Sequence, residues 1–220
     1  MDFVFTSLPY ITFTAFISGL IWRIWRFFRA GVPSYPLFPM ASQDNFQKFK
    51  SYLTQVLLFA PLFKNDRKLW GLSWMFHLSL FLIVAGHFRM FLGIRIDERL
   101  AFTLGSFFGL VFLISVVILL FRRFGEVRVV STLEDYVILI LLVFIALSGL
   151  AMRFSGNHYD LSAYASSLIT LSPQIPEYDI FLLIHAFLAQ LLIAYLPYGK
   201  LFHSIGAFVT SYYPLRWQNG

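Results

Sequence analysis

Five stretches of this chain are apolar over the roughly 20 residues that a membrane-spanning helix needs. Hydrocarbon holds no water, so a spanning segment must satisfy its own backbone N–H and C=O groups, as a helix does. We therefore expect an all-α integral membrane protein, a five-helix transmembrane bundle that forms a single domain over residues 1–220. The predicted spans cover approximately residues 3–22, 70–92, 100–121, 136–152 and 180–202.

The composition is typical of an integral membrane protein. Of the 220 residues, 59% are hydrophobic and 20% are aromatic, and the mean hydropathy is +0.73. A soluble domain has about 45–50% apolar residues, so this chain has too few polar side chains to cover a water-soluble globule. The chain has no cysteine, which excludes disulfides, thiolate-ligated clusters and cysteine nucleophiles within it.

The basic residues indicate how the spans are oriented. Of the 17 Lys and Arg residues, 13 fall within 23–68, 122–128 and 200–216, which are on one side of the predicted bundle. Cytoplasmic loops are enriched in Lys and Arg, so we predict an outside N-terminus, a cytoplasmic C-terminus, a cytoplasmic loop over 23–69 and an outer loop over 153–179. The net charge of +6 then reflects topology, and we expect no nucleic-acid partner. The first apolar run lacks a basic n-region, so we expect a span rather than a cleaved signal.

Four of the five histidines lie inside predicted spans, two in span two and two in span five. Ionisable residues at membrane depth are rare and usually functional. Neutral imidazole is a good ligand for iron, copper or zinc. Two histidines on each of two helices provide what two bis-histidine haems require, because each iron takes one axial nitrogen from each helix. The four residues are His77, His87, His185 and His203.

The predicted topology decides how these histidines pair. Spans two and five are antiparallel, so His87 would meet His185 as the outer pair and His77 would meet His203 as the inner pair. At about 1.5 Å per residue, the span-two histidines are separated by roughly 15 Å along the axis and the span-five histidines by roughly 27 Å. A bend at Pro197 can absorb part of this difference, because proline removes a helical hydrogen bond.

Other functions compete with the haem interpretation. A transporter with a histidine proton relay would need acidic residues and broken helices near the midplane, and the spans contain almost no acids. A copper or zinc enzyme would need all four imidazoles around one centre. A structural anchor would not need paired histidines. A haem-based conduit between soluble partners, with no quinone site of its own, also fits the pattern.

Two motifs resemble a known family. The stretches "FHLSLFLIVAGHF" and "HAFLAQLLIAYLPYGKLFH" resemble the second and fifth helices of the cytochrome b (gamma) subunit of respiratory nitrate reductase. That family has its span-two histidines 10 residues apart and its span-five histidines 18 apart, with a proline between the latter, as this chain has. "RVVSTLEDYVILILLVFIALSGLAMRF" is similar to the family's fourth span. The longer loop, with "LLFAPLFKNDRKLW", resembles relatives in heterodisulfide-reductase-like and sulfite-reduction-associated complexes.

The resemblance implies an oxidoreductase subunit with two haems b in the cell inner (cytoplasmic) membrane. Such a subunit exchanges electrons with a quinone, of the menaquinone type or an analogous lipid-soluble carrier, by oxidising quinol or reducing quinone. Its partners are a cytoplasmic iron–sulfur subunit and a terminal reductase subunit, which would hold the terminal chemistry, besides membrane lipid. Gly86 and His87 match the family's quinone neighbourhood. The arginines at the outer ends of spans two and three are candidates to hydrogen-bond a quinone carbonyl: Arg89, Arg95 and Arg99.

Overall fold

A computed structural model describes residues 2–29, 46–47, 50, 53–54, 57–125, 127–155 and 161–202. Eight of its α-helices carry the argument below: α1 (Phe3–Thr6), α2 (Leu8–Arg29), α3 (Ala60–Asn65), α4 (Arg67–Phe91), α5 (Glu98–Phe124), α6 (Leu133–Phe154), α7 (Leu161–Ile169) and α8 (Ile180–Tyr195). Short 3-10 helices cover Arg128–Val130 and Lys200–Phe202.

The predicted all-helical class is confirmed over the described residues. Three helices, α4, α5 and α6, are long and apolar enough to cross a membrane, and α8 is apolar but shorter, at 16 residues. These helices cover the second to fifth predicted spans. The first apolar run corresponds to α1 and to most of α2. The number of spans and the positions of the termini remain predictions.

The structure differs from the sequence-based boundaries in three places. The predicted fifth span continues to residue 202, but α8 ends at Tyr195, and Pro197 lies in the turn that follows. Proline has no N–H to continue the helical ladder. The predicted loop 23–69 begins with helical residues of α2 and also contains α3. The predicted loop 153–179 begins with the last two residues of α6 and contains α7.

Acidic residues fix the starts of three apolar helices. The first backbone N–H groups of a helix lack intrahelical partners, and a capping carboxylate accepts from one of them, which stabilises the helix by about 0.5–2 kcal/mol. This role places scarce acids at helix ends rather than inside the apolar segments. The pairs of carboxylate and backbone N–H are Asp66 with Leu69, Asp97 with Leu100 and Asp179 with Leu182, each at 2.9 Å.

A glycine terminates α4. Gly93 has a φ of 65°, a left-handed conformation that costs other residues energy because of their Cβ. Its N–H donates to Met90 O at 3.3 Å, and the N–H of Ile94 donates to Arg89 O at 3.0 Å. These two bonds form a Schellman motif, which satisfies carbonyls that the helix leaves free. The end of α4, and with it His87 and Arg89, is therefore defined by local backbone geometry.

The described residues divide into two compact units, the first formed by Met1–Phe16 with Leu72–Tyr195. In this unit α5 packs on α6, α6 packs on α8, and α1 contacts α8. α4 is not among the closely packed pairs of described helices. Buried residues of α5, α6 and α8 form the core, and they include Phe112, Val116, Leu142 and Leu182.

The N-terminal segment holds α7 in the first unit. The Tyr164 hydroxyl donates to Phe5 O at 2.9 Å, and the Tyr10 hydroxyl donates to Leu168 O at 3.2 Å. Phe5 is 1% exposed, and its ring contacts the Tyr164 ring edge-on. Burial raises the pKa of Tyr164 to about 12, so this hydroxyl remains a hydrogen-bond donor throughout the physiological pH range.

The second unit consists of Ile17–Gly71 and Leu196–Gly220. Gly19 of α2 is buried in it against the turn that follows α8. A Cβ at Gly19 would lie 2.6 Å from the Tyr198 ring and 2.7 Å from Pro197 Cγ. The Trp22 ring, one turn along, contacts the Tyr198 ring at a centroid separation of 6.2 Å. The absence of a side chain at Gly19 thus lets this turn lie directly on α2.

We predict that Gly19→Ala destabilises the protein by about 1–3 kcal/mol, the usual cost of overpacking a close contact. Thermal unfolding in detergent measures the effect. Gly71→Ala is the matched control, since a Cβ there meets nothing within 4 Å and alanine favours a helix more than glycine does. Equal unfolding midpoints for the two variants would contradict the close packing at Gly19.

Candidate functional site

The structure brings two of the candidate histidines together. His87 lies near the C-terminal end of α4 and His185 lies in the second turn of α8. Their ring centroids are 6.1 Å apart and their planes differ by 20°. Two imidazoles from different helices thus face each other nearly in parallel.

A hydrogen bond fixes the tautomer of each ring. Nδ1 of His87 donates to Ile83 O at 2.7 Å, one turn earlier on α4. Nδ1 of His185 donates to Ile145 O of α6 at 3.0 Å. A carbonyl oxygen only accepts, so each Nδ1 carries the proton, and Nε2 of each neutral ring keeps its lone pair. In metal sites, a hydrogen bond from the second ring nitrogen of a ligating histidine orients the ring and raises its basicity.

Two small residues of α6 make room for the His185 ring. A Cβ at Gly149 would lie 2.9 Å from His185 Cε1 and 3.1 Å from its Nδ1. The neighbouring Ser148 hydroxyl lies 3.3 Å from the same Nδ1 and donates to Phe144 O. The ring of His185 therefore lies against the backbone of α6, which no larger residue at position 149 would allow.

The separation of the facing rings fits one metal ion between them. A metal–imidazole nitrogen bond is about 2.0–2.1 Å long, so two such bonds account for about 4 Å, and the ring radii account for the rest of the 6.1 Å between centroids. Both rings present a deprotonated Nε2, which is the form that ligates a metal. His87 and His185 thus have the tautomer and the ring separation that a shared metal ion would need.

The inner pair is described only in part. Nδ1 of His77 donates to Ser73 O at 2.7 Å, the same bond to the preceding turn that His87 makes. The Phe76 ring contacts the His77 ring edge-on at 4.9 Å between centroids. His203, and His158 of the predicted outer loop, lie outside the described residues. Among the residues that the structure describes, no group of three or more His, Cys, Asp or Glu forms a metal site.

The candidate quinone residues occupy different helices. A Cβ at Gly86, beside His87, would meet nothing within 4 Å among the described atoms. Arg99 lies in the first turn of α5 and is exposed. Nothing in the described residues joins Gly86 and Arg99 into one site.

Arg153 is a site residue that the sequence did not reveal. The predicted boundaries placed it in an outer loop, whereas it belongs to α6, one turn after Gly149. It is half-buried, and its guanidinium donates to Ala101 O of α5 at 3.4 Å. One sequence signal was available for this position. Arg153 follows Gly149 by four residues, and residues at i and i+4 share a face of a helix.

Comparison of the sequence with known proteins identifies the family of the chain that carries this site. Residues 59–218 match the family described as "Nitrate reductase gamma subunit". A relative from Archaeoglobus profundus, called "Hdr-like menaquinol oxidoreductase cytochrome b-like subunit", is 29% identical over 94% of this chain and 77% of its own length. A relative of the same description from Archaeoglobus fulgidus is 27% identical over 92% of this chain and 76% of its own length. The family match covers most of the chain, including all four candidate ligands, so this protein belongs to the nitrate reductase gamma subunit family.

Proposed function

We propose that this chain is a dihaem b electron-transfer subunit that exchanges electrons with a membrane quinone and connects it to a cytoplasmic iron–sulfur partner. The facing imidazoles of His87 and His185, each with Nδ1 committed to a backbone carbonyl, carry the proposal. They are the outer axial pair. His77 and His203 are the inner pair, an assignment that rests on the sequence pattern and on the tautomer of His77.

A haem b between each pair supplies reversible one-electron transfer. The chain's own contribution is to orient the ligands and to set their basicity. Donation from Nδ1 to a carbonyl gives the imidazole partial anionic character, which makes Nε2 a stronger donor. Ile83 and Ile145 provide these carbonyls to the outer pair, and Ser73 provides the one to His77.

The proposed arrangement is a multi-pass bundle of five spans in the inner (cytoplasmic) membrane, with the N-terminus outside. The length and hydropathy of α4, α5 and α6 support three of these spans. The excess of basic residues in one set of loops supports the orientation. Such a bundle puts the two haem sites at different depths, so the subunit carries electrons across the membrane.

The substrate and the partners follow from the relatives and from composition. The relatives are called menaquinol oxidoreductase subunits, which supports a menaquinone-type carrier near Gly86 and Arg99. The chain has no cysteine, so iron–sulfur clusters, which cysteine thiolates hold, reside in another subunit. A terminal reductase subunit completes the complex.

We expect the purified protein to contain about two haems b per chain, seen in the reduced-minus-oxidised spectrum. His87→Ala and His185→Ala should each remove one and the same haem, because they take away opposite ligands of one iron. His77→Ala and His203→Ala should remove the other. His158→Ala, the same chemical change at the fifth histidine, should keep both.

The pattern of losses decides the assignment. If His77→Ala and His87→Ala abolish the same haem, the pairing is wrong. A wild-type preparation without haem would overturn the proposed function as a whole. Quinone exchange is tested separately, by the rate at which a water-soluble menaquinol analogue reduces the haems in wild type and in Arg99→Gln.

We also predict that Gly149→Ala weakens the outer haem site. The added Cβ would lie within 3.1 Å of two atoms of the His185 ring, so the ring must turn and lose its bond to Ile145 O. Loss of a hydrogen bond that orients a metal-ligating histidine costs about 10–100-fold in metal affinity. The haem content that the variant retains as it is diluted in detergent measures this loss of affinity. Gly71→Ala is the control, since its Cβ meets nothing, and equal haem retention in both variants would contradict the prediction.

A further inference from the structure

A buried hydroxyl of α6 lies beside Nδ1 of His185. Ser148 is 7% exposed, and its Oγ lies 3.3 Å from this nitrogen. The carbonyl oxygen of Ile145 lies 3.0 Å from Nδ1 of His185 and also 3.0 Å from Ser148 Oγ. The ring nitrogen, the hydroxyl oxygen and the carbonyl oxygen therefore form a closed triangle where α6 meets α8.

The hydroxyl hydrogen of Ser148 has two carbonyl oxygens within reach, Phe144 O at 2.8 Å and Ile145 O at 3.0 Å. A carbonyl oxygen has two lone pairs. In α6, one lone pair of Ile145 O accepts from the N–H four residues later, and the Nδ1–H of His185 takes the other. Phe144 O makes the shorter contact and has a lone pair left after its helical bond, so the hydroxyl donates there.

This direction of donation leaves the lone pairs of Ser148 Oγ to the Nδ1–H of His185. One N–H then donates to two acceptors, Ile145 O at 3.0 Å and Ser148 Oγ at 3.3 Å, which is a three-centre bond. The contact with the hydroxyl is the longer of the two and therefore the weaker. The imidazole of His185 is thus held by two oxygens of α6, one from the backbone and one from a side chain.

We propose that Ser148 is a positioning residue that adjusts the donor strength of His185 through Nδ1, and with it the reduction potential of the outer haem. The inference rests on the proposed function. An oxygen that accepts from Nδ1–H draws the proton away from the ring, which makes Nε2 more basic. A more basic axial ligand favours the oxidised iron, which carries the higher positive charge. Ser148 thereby lowers the potential of the haem that His87 and His185 hold, because hydrogen bonds around the ligands tune haem potentials.

The test compares Ser148→Ala, Ser148→Thr and Ser115→Ala with wild type in the purified, haem-loaded subunit without added quinone. The outer haem is the one that His87→Ala removes. Ser148→Ala deletes one acceptor of the Nδ1–H, so the reduced form of the outer haem should gain. We expect the reduced-to-oxidised ratio at fixed potential to rise about threefold, the size of one weak hydrogen bond, which is about 28 mV for a one-electron couple.

A second readout separates this role from a purely structural one. The electron paramagnetic resonance g values of an oxidised low-spin haem report the donor strength of its imidazoles, and we expect them to shift in Ser148→Ala. Ser148→Thr keeps a hydroxyl that can donate to the carbonyl four residues earlier, so it should restore both readouts. Ser115→Ala is the matched control: it removes a fully buried hydroxyl that donates to Val111 O of its own helix at 2.8 Å, and we expect neither readout to change.

The possible failures are distinguishable. A wild-type protein without haem would overturn the proposed function and this inference with it. A wild type with two haems, but with the same outer-haem potential and g values in Ser148→Ala, would overturn this inference alone. A lower potential in Ser148→Ala would mean that the hydroxyl competes with His185 for Ile145 O, and the proposed role would be wrong. If Ser148→Ala and Ser148→Thr both lost the outer haem, Ser148 would act through packing, which would also contradict the inference.

Discussion

Hydrocarbon offers no hydrogen-bond partner, so the polar side chains of these apolar helices must find theirs within the protein. Three buried serines do so locally: Ser79, Ser115 and Ser148 each donate to the carbonyl four residues earlier. The buried hydroxyl of Ser106 has no partner among the described atoms. His77 and His87 use the same carbonyl position with Nδ1. The bond that makes an imidazole tolerable in a helix also decides which nitrogen remains a ligand. The membrane environment and metal ligation through Nε2 therefore favour the same tautomer.

His185 departs from this local pattern. Its Nδ1 bonds to Ile145 of a different helix, and its ring lies where Gly149 leaves space. The position of this ligand therefore depends on the register between α6 and α8. The position of His87 depends on α4 alone. The two halves of the outer site are thus set by different parts of the bundle, one by tertiary packing and one by a single turn of helix.

The sequence predicted the features that local chemistry controls. The apolar runs predicted the long helices. The pairing of His87 with His185 was predicted from the antiparallel topology of the spans, and the structure places the two rings 6.1 Å apart; their role as ligands remains a prediction. The helix α7 was missed, because the hydrogen bond from Tyr164 that holds it reaches Phe5, at the far end of the chain. The placement of Arg153 was missed for a similar reason: Gly105, which makes room for it, lies on another helix. Neither contact can be predicted from a pattern of residues that are close in sequence.

The uneven packing of the helices has a consequence for biogenesis. α6 and α8 pack closely and share the bond at His185, whereas α4 is not among the closely packed pairs of the described bundle. We expect the α6–α8 half to take its final form during membrane insertion, before any cofactor arrives. If the chain binds haem as proposed, ligation by His87 would then join α4 to this half of the bundle. In such an order of events, cofactor delivery is itself the last folding step of the subunit.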